Sequence, residues 1–567
     1  MNWLRQFFTK KESSKIDIID IMILGVILLI YGIFSFINLG STTNPQTFVV
    51  DDKVNSTHIF EVTGTSGKVT RMRYFVGPEQ GSYLVYGSED GENYELLGNT
   101  KEEDYVFGWY DLEFMPTNEL RYLKLVSDTE EASLGEITLD GSARIRAIKK
   151  DDALLLDEQD TVPETISYKN STYFDEVYFA RAAYEYANGL PTYEWVHPPL
   201  AKLIQSIPIA LFGMAPFYYR LMGNISGILL IAVMYLFGKA LFKNRGFALL
   251  SALFMIFDNF HFAQARIGTM DTHLTLFILS SYYFMYRYID LPKNTKLSRK
   301  LLFLGLSGVS ISLAIATKWT GLFAGLGLAI VFFVHFYRTY FLNKKKITEK
   351  NKKEMIKIIG SCFIFFVFLP ITIYLSCYFL FPDVSVYHVS SLQDLFDITK
   401  SMYEYHSTLN ATHSFSSEWY TWPLMLKPVW YYSSSTVDGM RGTISGLGNI
   451  VIWWTGALAM IYCFYCAWKK EKSVFILVIA FMCLFFPYLV IGRCMFLYHY
   501  YPALPFVMLA LTKLVKDLVE KTQLYIVIPI FLIIVMTCFI YFLPVTSGTP
   551  ISEKKIESMR WLPEWYF

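Results

Sequence analysis

Charge is scarce in this sequence: Asp, Glu, Lys and Arg make up 17% of 567 residues, against roughly a quarter in soluble domains. What charge there is nearly cancels, at +1 net, so no global field suits a nucleic-acid backbone and no nucleic-acid partner is expected. Cysteine is missing where it would matter most. All seven (Cys362, Cys377, Cys463, Cys466, Cys483, Cys494, Cys538) lie in or beside apolar segments, and none falls between residues 40 and 200, so no disulfide framework holds that stretch. Cys463 and Cys466 have CxxC spacing, but inside an apolar helix they read as lining rather than as a redox or metal pair. No small-residue cleavage site follows the first apolar run. Lys10, Lys11 and Lys15 precede it, and from Ile16 to about Leu39 it is long enough to span a membrane uncleaved.

What abounds is apolar surface. Hydrophobic residues reach 53%, aromatics 17%, and mean hydropathy is +0.34. Runs of ~18 to 25 apolar residues match a bilayer core, so the fold class expected is an α-helical polytopic membrane protein. About eleven spans are expected, near 17–39, 216–240, 246–263, 271–289, 300–317, 319–338, 357–381, 446–467, 473–491, 495–512 and 523–544. With the N-terminus inside, the cytoplasmic loops hold Lys239/Lys243/Arg245, Lys293 to Lys300, Lys344 to Lys357, Lys469/Lys470/Lys472 and Lys513/Lys516/Lys521. Every one is basic, and the alternate loops are basic-poor, as the positive-inside rule requires. The C-terminus is then outside.

That topology divides the chain into six parts: 1–40, cytoplasmic N-terminus and first span; 41–150, a polar insertion; 151–215, the rest of the first outer loop; 216–381, spans two to seven; 382–445, a large outer loop; and 446–567, the last four spans and an outer tail. The insertion shows strand-like runs at Val69–Val76, Ser82–Gly87, Tyr94–Leu97, Tyr105–Phe114, Tyr122–Val126 and Gly135–Leu139, with turn signals such as Glu89-Asp90-Gly91 between them. This spacing predicts a β-sandwich. The run Ser82 to Tyr94, followed by Arg121-Tyr-Leu-Lys-Leu and Leu134-Gly-Glu-Ile-Thr-Leu, resembles the discoidin-type, carbohydrate-binding sandwich. Its loops offer Tyr105, Trp109 and Tyr110 to a glycan; the alternative is a spacer whose aromatics are core.

Ionisable residues persist in membrane proteins where they are paired, wet or useful. Here they collect at the expected outer ends of helices: Asp175-Glu176, His197-Pro-Pro, Arg220, Arg266 and Asp271, Lys318-Trp319, Glu418 to Trp422, and Arg493 to Tyr501. Internal repeats and mid-span acids, the marks of a transporter, are lacking. The pattern reads as one wet outer-face cavity suited to a lipid-linked sugar donor. Arg220, Arg266, Lys318 and Arg493 are candidates for its phosphate, because guanidinium and ammonium groups supply fixed donors. A carboxylate must accept the proton of an attacking hydroxyl, and Asp175-Glu176 fits. No metal cluster is evident, and a monophosphate leaving group does not require a cation. Duller readings stand beside these. An Asp-Glu pair in an outer loop is ordinarily solvated surface, Arg220 reads as an interfacial anchor, Arg266 with Asp271 as a structural pair, and His499, Trp419 and Trp422 as an aromatic belt.

Motif order separates the two. Phe174-Asp175-Glu176-Val177, followed by His197-Pro198-Pro199-Leu200-Ala201-Lys202, resembles the protein O-mannosyltransferase family. Gln264-Ala265-Arg266 with Asp271, Thr317 to Gly321, Glu418 to Leu424, Gly448-Asn449 with Trp453-Trp454, and Gly492-Arg493 with Tyr498 to Pro502 look like further family elements in the family's order. The likeness covers roughly 165–515 and the first span. It implies a GT-C fold and an inverting transfer of mannose from a polyprenyl-phosphate donor to Ser or Thr hydroxyls of exported proteins, outside the cell membrane. Asp175 would be the base and Glu176 its support. Arg220, Arg266, Lys318, Arg493 and His499 would meet the donor, with His197, Asp271, Trp319, Trp419 and Trp422 supporting. No cofactor beyond the lipid-linked donor is implied, and because eukaryotic members work as dimers, a homodimer is a possible assembly. Two departures concern the acceptor. The 382–445 loop is too short for the β-trefoil module of eukaryotic members, and a sandwich stands where the family usually has almost nothing. The missing module and the cysteine-free outer domain point to a bacterial-type member using undecaprenyl- or decaprenyl-phosphate, with a cell-wall or lipid-linked glycan as the alternative acceptor and a non-catalytic glycan-binding or transport protein as the alternative class.

Overall fold

The computed structural model describes every residue except Met1, 11–14, 65–67, 103–104, 118–119, 343–347 and 382–387. Lys11, Lys344 and the start of the 382–445 loop therefore lie outside the described residues. The chain forms two compact units, one of Asn38–Asn188 with Gln205–Leu221, the other of Met1–Ile37, Gly189–Ile204 and Met222–Phe567.

The first unit contains the expected sandwich. Among the described residues its strands are β1 (Val49–Asp51), β2 (Thr57–Thr63), β3 (Val69–Val76), β4 (Tyr83–Ser88), β5 (Glu95–Asn99), β6 (Gly108–Thr117), β7 (Tyr122–Ser127), β8 (Ala132–Leu139) and β9 (Arg144–Ala147). They build two antiparallel sheets, ordered β1-β8-β3-β6 and β5-β4-β7-β2-β9. In β7 every second residue is buried, so Leu123 and Leu125 meet Phe60 and Val62 of β2 and Met72, Tyr74 and Ile137 from the facing sheet. β1, β2 and β9 escape the sequence pattern. In β2 the inward side holds a histidine: His58 is buried between Asp51 and Asp152, 2.8 Å from each.

β3 does not alternate because both its faces are covered. Met72 and Tyr74 enter the sandwich core, while Phe75 joins Trp109, Val106 and Phe107 in a second core against helix Glu176–Asn188 through Val177, Ala180 and Ala183. Trp109 is 1% exposed there, which corrects its expected place in a glycan-binding loop. Its ring is needed to join sheet to helix. Tyr110 and Tyr105 close their own loop instead: the Tyr110 hydroxyl accepts the Tyr105 N–H at 2.7 Å, and Tyr105 is 44% exposed.

Helix covers most of each of the eleven expected segments, except that the one expected at 495–512 opens as a 3-10 stretch, Leu497–Ala503, and its α-helix, Leu504–Thr522, runs about ten residues further than expected. Among the described residues seven helices are long and apolar enough to cross a membrane: Ile18–Phe36, Pro216–Phe242, Leu297–Thr317, Thr320–Tyr340, Glu349–Phe379, Ile450–Trp468 and Val527–Ser547. An eighth span results if Arg245–Ile256 and Asn259–Ala265, bent by 64°, count as one. At that break the Asp258 carboxylate accepts the His261 N–H at 2.8 Å and the Trp453 indole N–H at 2.7 Å. The remaining segments, Asp271–Ile289, Lys472–Phe485 and Leu504–Thr522, are short or polar for a span. Most of Asp271–Ile289 and Leu504–Thr522 is buried against other helices, so their surfaces need not be apolar all round. All seven cysteines are free thiols.

One buried acid gives the sandwich unit a pH signature. Glu136 is fully buried; its carboxylate accepts the Glu158 N–H at 2.9 Å, and the carboxylates of Asp157 and Glu158 lie within 4.8 Å. Burial, with those two charges, pushes its pKa up to about 7. The folded chain then holds a proton that the unfolded chain releases above its ordinary value, so stability is present at low pH and falls as pH rises towards 7. The expected slope is about 1 kcal/mol per pH unit between pH 5 and 7. Thermal unfolding of the full chain across that range, with Glu136→Gln flattening the slope, checks it.

Candidate functional site

The Asp-Glu pair stands at the start of helix Glu176–Asn188. Phe174, just before it, takes a left-handed backbone (φ 51°), a conformation that costs a non-glycine residue of order 1 kcal/mol and that surrounding structure must hold in place. Asp175 follows as the capping residue, its carbonyl accepting the Tyr178 and Phe179 N–H groups at 3.1 Å, and it is half-buried. Glu176 is fully buried. Its carboxylate takes the Arg220 guanidinium in a two-pronged bond, 2.7 Å at each oxygen, and accepts the Tyr173 N–H at 3.2 Å.

Arg220 has five N–H donors, and all five are used. Two go to Glu176, and the others go to the carbonyls of Leu39 (2.9 Å), Tyr168 (2.7 Å) and Ser171 (3.2 Å). Tyr173 and Tyr219 lie beside the guanidinium, 4.9 and 5.1 Å away, and the residue is fully buried. The expectation that Arg220 meets a donor phosphate gives way to a different role: it has no hydrogen left to offer a ligand and holds the Asp-Glu turn.

The second unit gathers another set. Glu194, which the motif reading passed over, accepts the His197 Nδ1–H at 2.7 Å and the Lys202 ammonium at 2.5 Å. Burial opposes its charge, but Lys202 and His197 prevail and pull its pKa down to about 2. The His197 ring stands 5.1 Å from that of His406. His406, on helix Leu392–Thr408, donates from Nε2 to the Val196 carbonyl at 2.8 Å, which leaves Nδ1 to accept from Arg493 at 3.0 Å. Burial and the charges of His197 and Arg493 push the His406 pKa down to about 4, so the ring is neutral and fit for that acceptor role. Trp319 flanks the same ring at 6.2 Å. Beside it, Lys318 donates to Asp271 at 2.9 Å and lies 5.6 Å from the Tyr498 ring.

Arg266 donates to the carbonyls of Ser35 and Ile37 (2.8 Å to Ile37) with its guanidinium over Phe262, so it holds the end of the first span. His499 stacks on Trp422 at 6.0 Å, with planes 14° apart. Trp422 is fully buried and donates to Ser417 at 3.0 Å, while Trp419 packs on Phe485 at 5.0 Å. The structure thus joins His197, Trp319, Arg493, Lys318 and Asp271 with Lys202 of the His-Pro-Pro motif and the unexpected Glu194 and His406. Glu194 was findable as an acid one helical turn before a histidine. His406 carries no sequence signal, since only its helix brings it to Arg493.

Several apolar spans and paired ionisable residues define a multi-pass membrane protein. Two family models match: "Dolichyl-phosphate-mannose-protein mannosyltransferase" over residues 210–384 and "C-terminal four TMM region of protein-O-mannosyltransferase" over 391–565. Together they span more than half of the chain, which belongs to the protein O-mannosyltransferase family. The curated relatives include polyprenol-phosphate-mannose–protein mannosyltransferases of Mycolicibacterium smegmatis and Corynebacterium glutamicum. The first is 23% identical over 453 residues, covering 69% of this chain and 87% of the relative. The second is 24% identical over 429 residues, covering 65% and 81%. Among solved structures, the Saccharomyces cerevisiae Pmt1-Pmt2 protein O-mannosyltransferase complex bound to the sugar donor matches with a TM-score of 0.62 at 16% identity, over 70% of this chain and 89% of that one. The GT-C fold expected from the motifs is therefore present. The sandwich strands, residues 49–147, lie outside both family models.

Removing one partner of the Glu176–Arg220 pair leaves a buried, unmatched charge. Arg220→Met is expected to destabilise the protein by about 3 to 5 kcal/mol, and the double variant Glu176→Gln/Arg220→Met to recover part of that loss. Thermal unfolding of the three proteins in one detergent checks both. Parallel losses in the single and double variants would show that the ion pair is not what holds the turn.

Proposed function

We propose that this protein transfers mannose from a polyprenyl-phosphate donor to Ser or Thr hydroxyls of exported proteins, with inversion, on the outer face of the cell membrane. Its family and the activity named for its relatives support the reaction. The observation that carries the residue assignment is the Asp-Glu turn. A strained residue, Phe174, and a fully satisfied Glu176–Arg220 pair hold Asp175 half-exposed at a helix start.

In this reading the acceptor oxygen attacks the anomeric carbon while the bond from that carbon to the phosphate oxygen breaks. The electron pair leaves with the phosphate, and Asp175 takes the acceptor proton. Lys318 and Arg493 hold the departing phosphate. Each is oriented by a polar neighbour, Asp271 for Lys318 and neutral His406 for Arg493, so little reorganisation is needed as negative charge develops. Glu194, His197 and Lys202 keep the His-Pro-Pro segment in register beside His406. Arg266 keeps its place in the donor-binding reading through position, at the end of the first span, and His499 through its stack on Trp422. The sandwich then handles the acceptor, and the lipid carrier is undecaprenyl- or decaprenyl-phosphate.

The test is transfer of labelled mannose from synthetic polyprenyl-phosphate mannose to protein in membranes. Asp175→Asn is expected to lower turnover by at least a hundredfold at unchanged protein level, the scale of a lost general base. Unchanged turnover would remove Asp175 from the chemistry, and label entering a glycan fraction instead of protein would reassign the acceptor. His406→Leu, which leaves Arg493 without its acceptor, is expected to raise KM for the donor several-fold with a smaller change in kcat. A change in kcat alone would place His406 elsewhere in the reaction.

A further inference from the structure

The segment after the last span is built at both ends for different surroundings. Helix Val527–Ser547 is mostly open to lipid: Ile530, Ile533, Ile534 and Ile540 are each about half exposed or more (49–59%). Beyond it the chain folds back. The Tyr541 hydroxyl donates to the Ser558 carbonyl at 3.4 Å, and Trp561 packs on Tyr541 at 5.7 Å and on Phe542 at 5.0 Å. Its other end is locked. Trp565 is fully buried and donates its indole N–H to the Met425 carbonyl at 2.8 Å, and Arg560 Nε donates to the Trp565 carbonyl at 2.8 Å.

Between these fixed points Trp561 remains 54% exposed while packing on Tyr541 and Phe542, near the C-terminal end of the last span. A half-exposed tryptophan at the end of a span sits at headgroup depth, where its ring is amphipathic enough to stay. Cations share that level. Lys555 lies 4.7 Å over the Tyr541 ring, and the exposed Arg560 guanidinium lies 4.9 Å over Tyr566. A cleft of about 450 Å³ opens between Glu557, Arg560, Trp561, Leu562 and Pro563.

Residues 553–564 hold three acids and three bases, but the charges do not cancel at the surface. Glu553 pairs with Arg441 at 3.0 Å, and Glu564 lies 3.9 Å from Lys427. Lys554, Lys555 and Arg560 then face one remaining acid, Glu557. We propose that Lys555, Arg560 and Trp561 form a binding site for the headgroup of an anionic glycerophospholipid. Arg560 and Lys555 take the phosphate oxygens, Trp561 lies along the glycerol and first methylenes, and the tail is thereby seated on the membrane. The proposal does not depend on the mannosyltransferase reading.

The test uses the full-length protein purified from bilayers of phosphatidylglycerol and phosphatidylcholine in equal amounts, with retained lipid measured by native mass spectrometry. Wild type is expected to retain phosphatidylglycerol in preference. Lys555→Gln/Arg560→Gln should lower that preference about tenfold, and Glu557→Gln should raise it. Arg560 also holds the Trp565 carbonyl, so Lys555→Gln and Glu557→Gln, each made alone at an exposed side chain, are the variants expected to shift lipid preference without moving the thermal transition measured in the absence of added lipid. Equal retention of the two lipids by wild type, or a preference that neither variant changes, overturns the proposal. Stoichiometric displacement of phosphatidylglycerol by polyprenyl phosphate would also overturn it, by assigning the cleft to the sugar carrier.

Discussion

A buried ion pair stabilises a structure only when every donor and acceptor of the pair is met, because removing two charges from water costs several kcal/mol for each ion. Glu176 and Arg220 meet that condition. The two-pronged bond uses both carboxylate oxygens, and the three remaining guanidinium hydrogens reach three backbone carbonyls. In doing so the pair ties together four places in the sequence, at residues 39, 168 to 171, 176 and 220. The left-handed turn at Phe174 and the helix that follows Asp175 depend on this knot. Its role is positional, and it explains why an arginine at the first turns of an apolar helix is buried rather than lipid-facing.

The helical unit applies the same constraint to a set that keeps polar groups for use. Lys202 is consumed by Glu194, whereas Lys318 and Arg493 are oriented by single neighbours. The histidines are the hinge of this arrangement. His406 can accept from Arg493 only while neutral, and burial among cations keeps it so. A carboxylate in its place would hold Arg493 more tightly and spend its charge.

Lipid contact and burial sort the helices. Ile18–Phe36 and Val527–Ser547 expose most of their apolar surface, while Asp271–Ile289 carries Asp271, Thr272, His273 and four tyrosines on a helix buried along most of its length. Asp271–Ile289 is thus shielded by other helices and is less apolar than the lipid-facing spans. The inserted sandwich follows soluble-protein rules, with two packed sheets and a second core under one helix.

The amino-acid sequence by itself determined the membrane class, the helical segments and most of the strands, because bilayer thickness and the two-residue repeat of a strand leave patterns in short windows. It also marked the residue types of the candidate site, since charges near lipid are costly unless paired, wet or useful. Only the tertiary structure decided their duties. Trp109 and Tyr110 are neighbours, yet one is core and the other closes a loop, depending on which sheet face meets a helix. Arg220 and Arg493 look alike in sequence, but one is saturated by carbonyls brought from 39 to 171 and the other meets a histidine from a distant helix. Hydrogen-bond saturation and the neutrality of His406 depend on groups far apart in the chain, and no local pattern encodes which of them will meet.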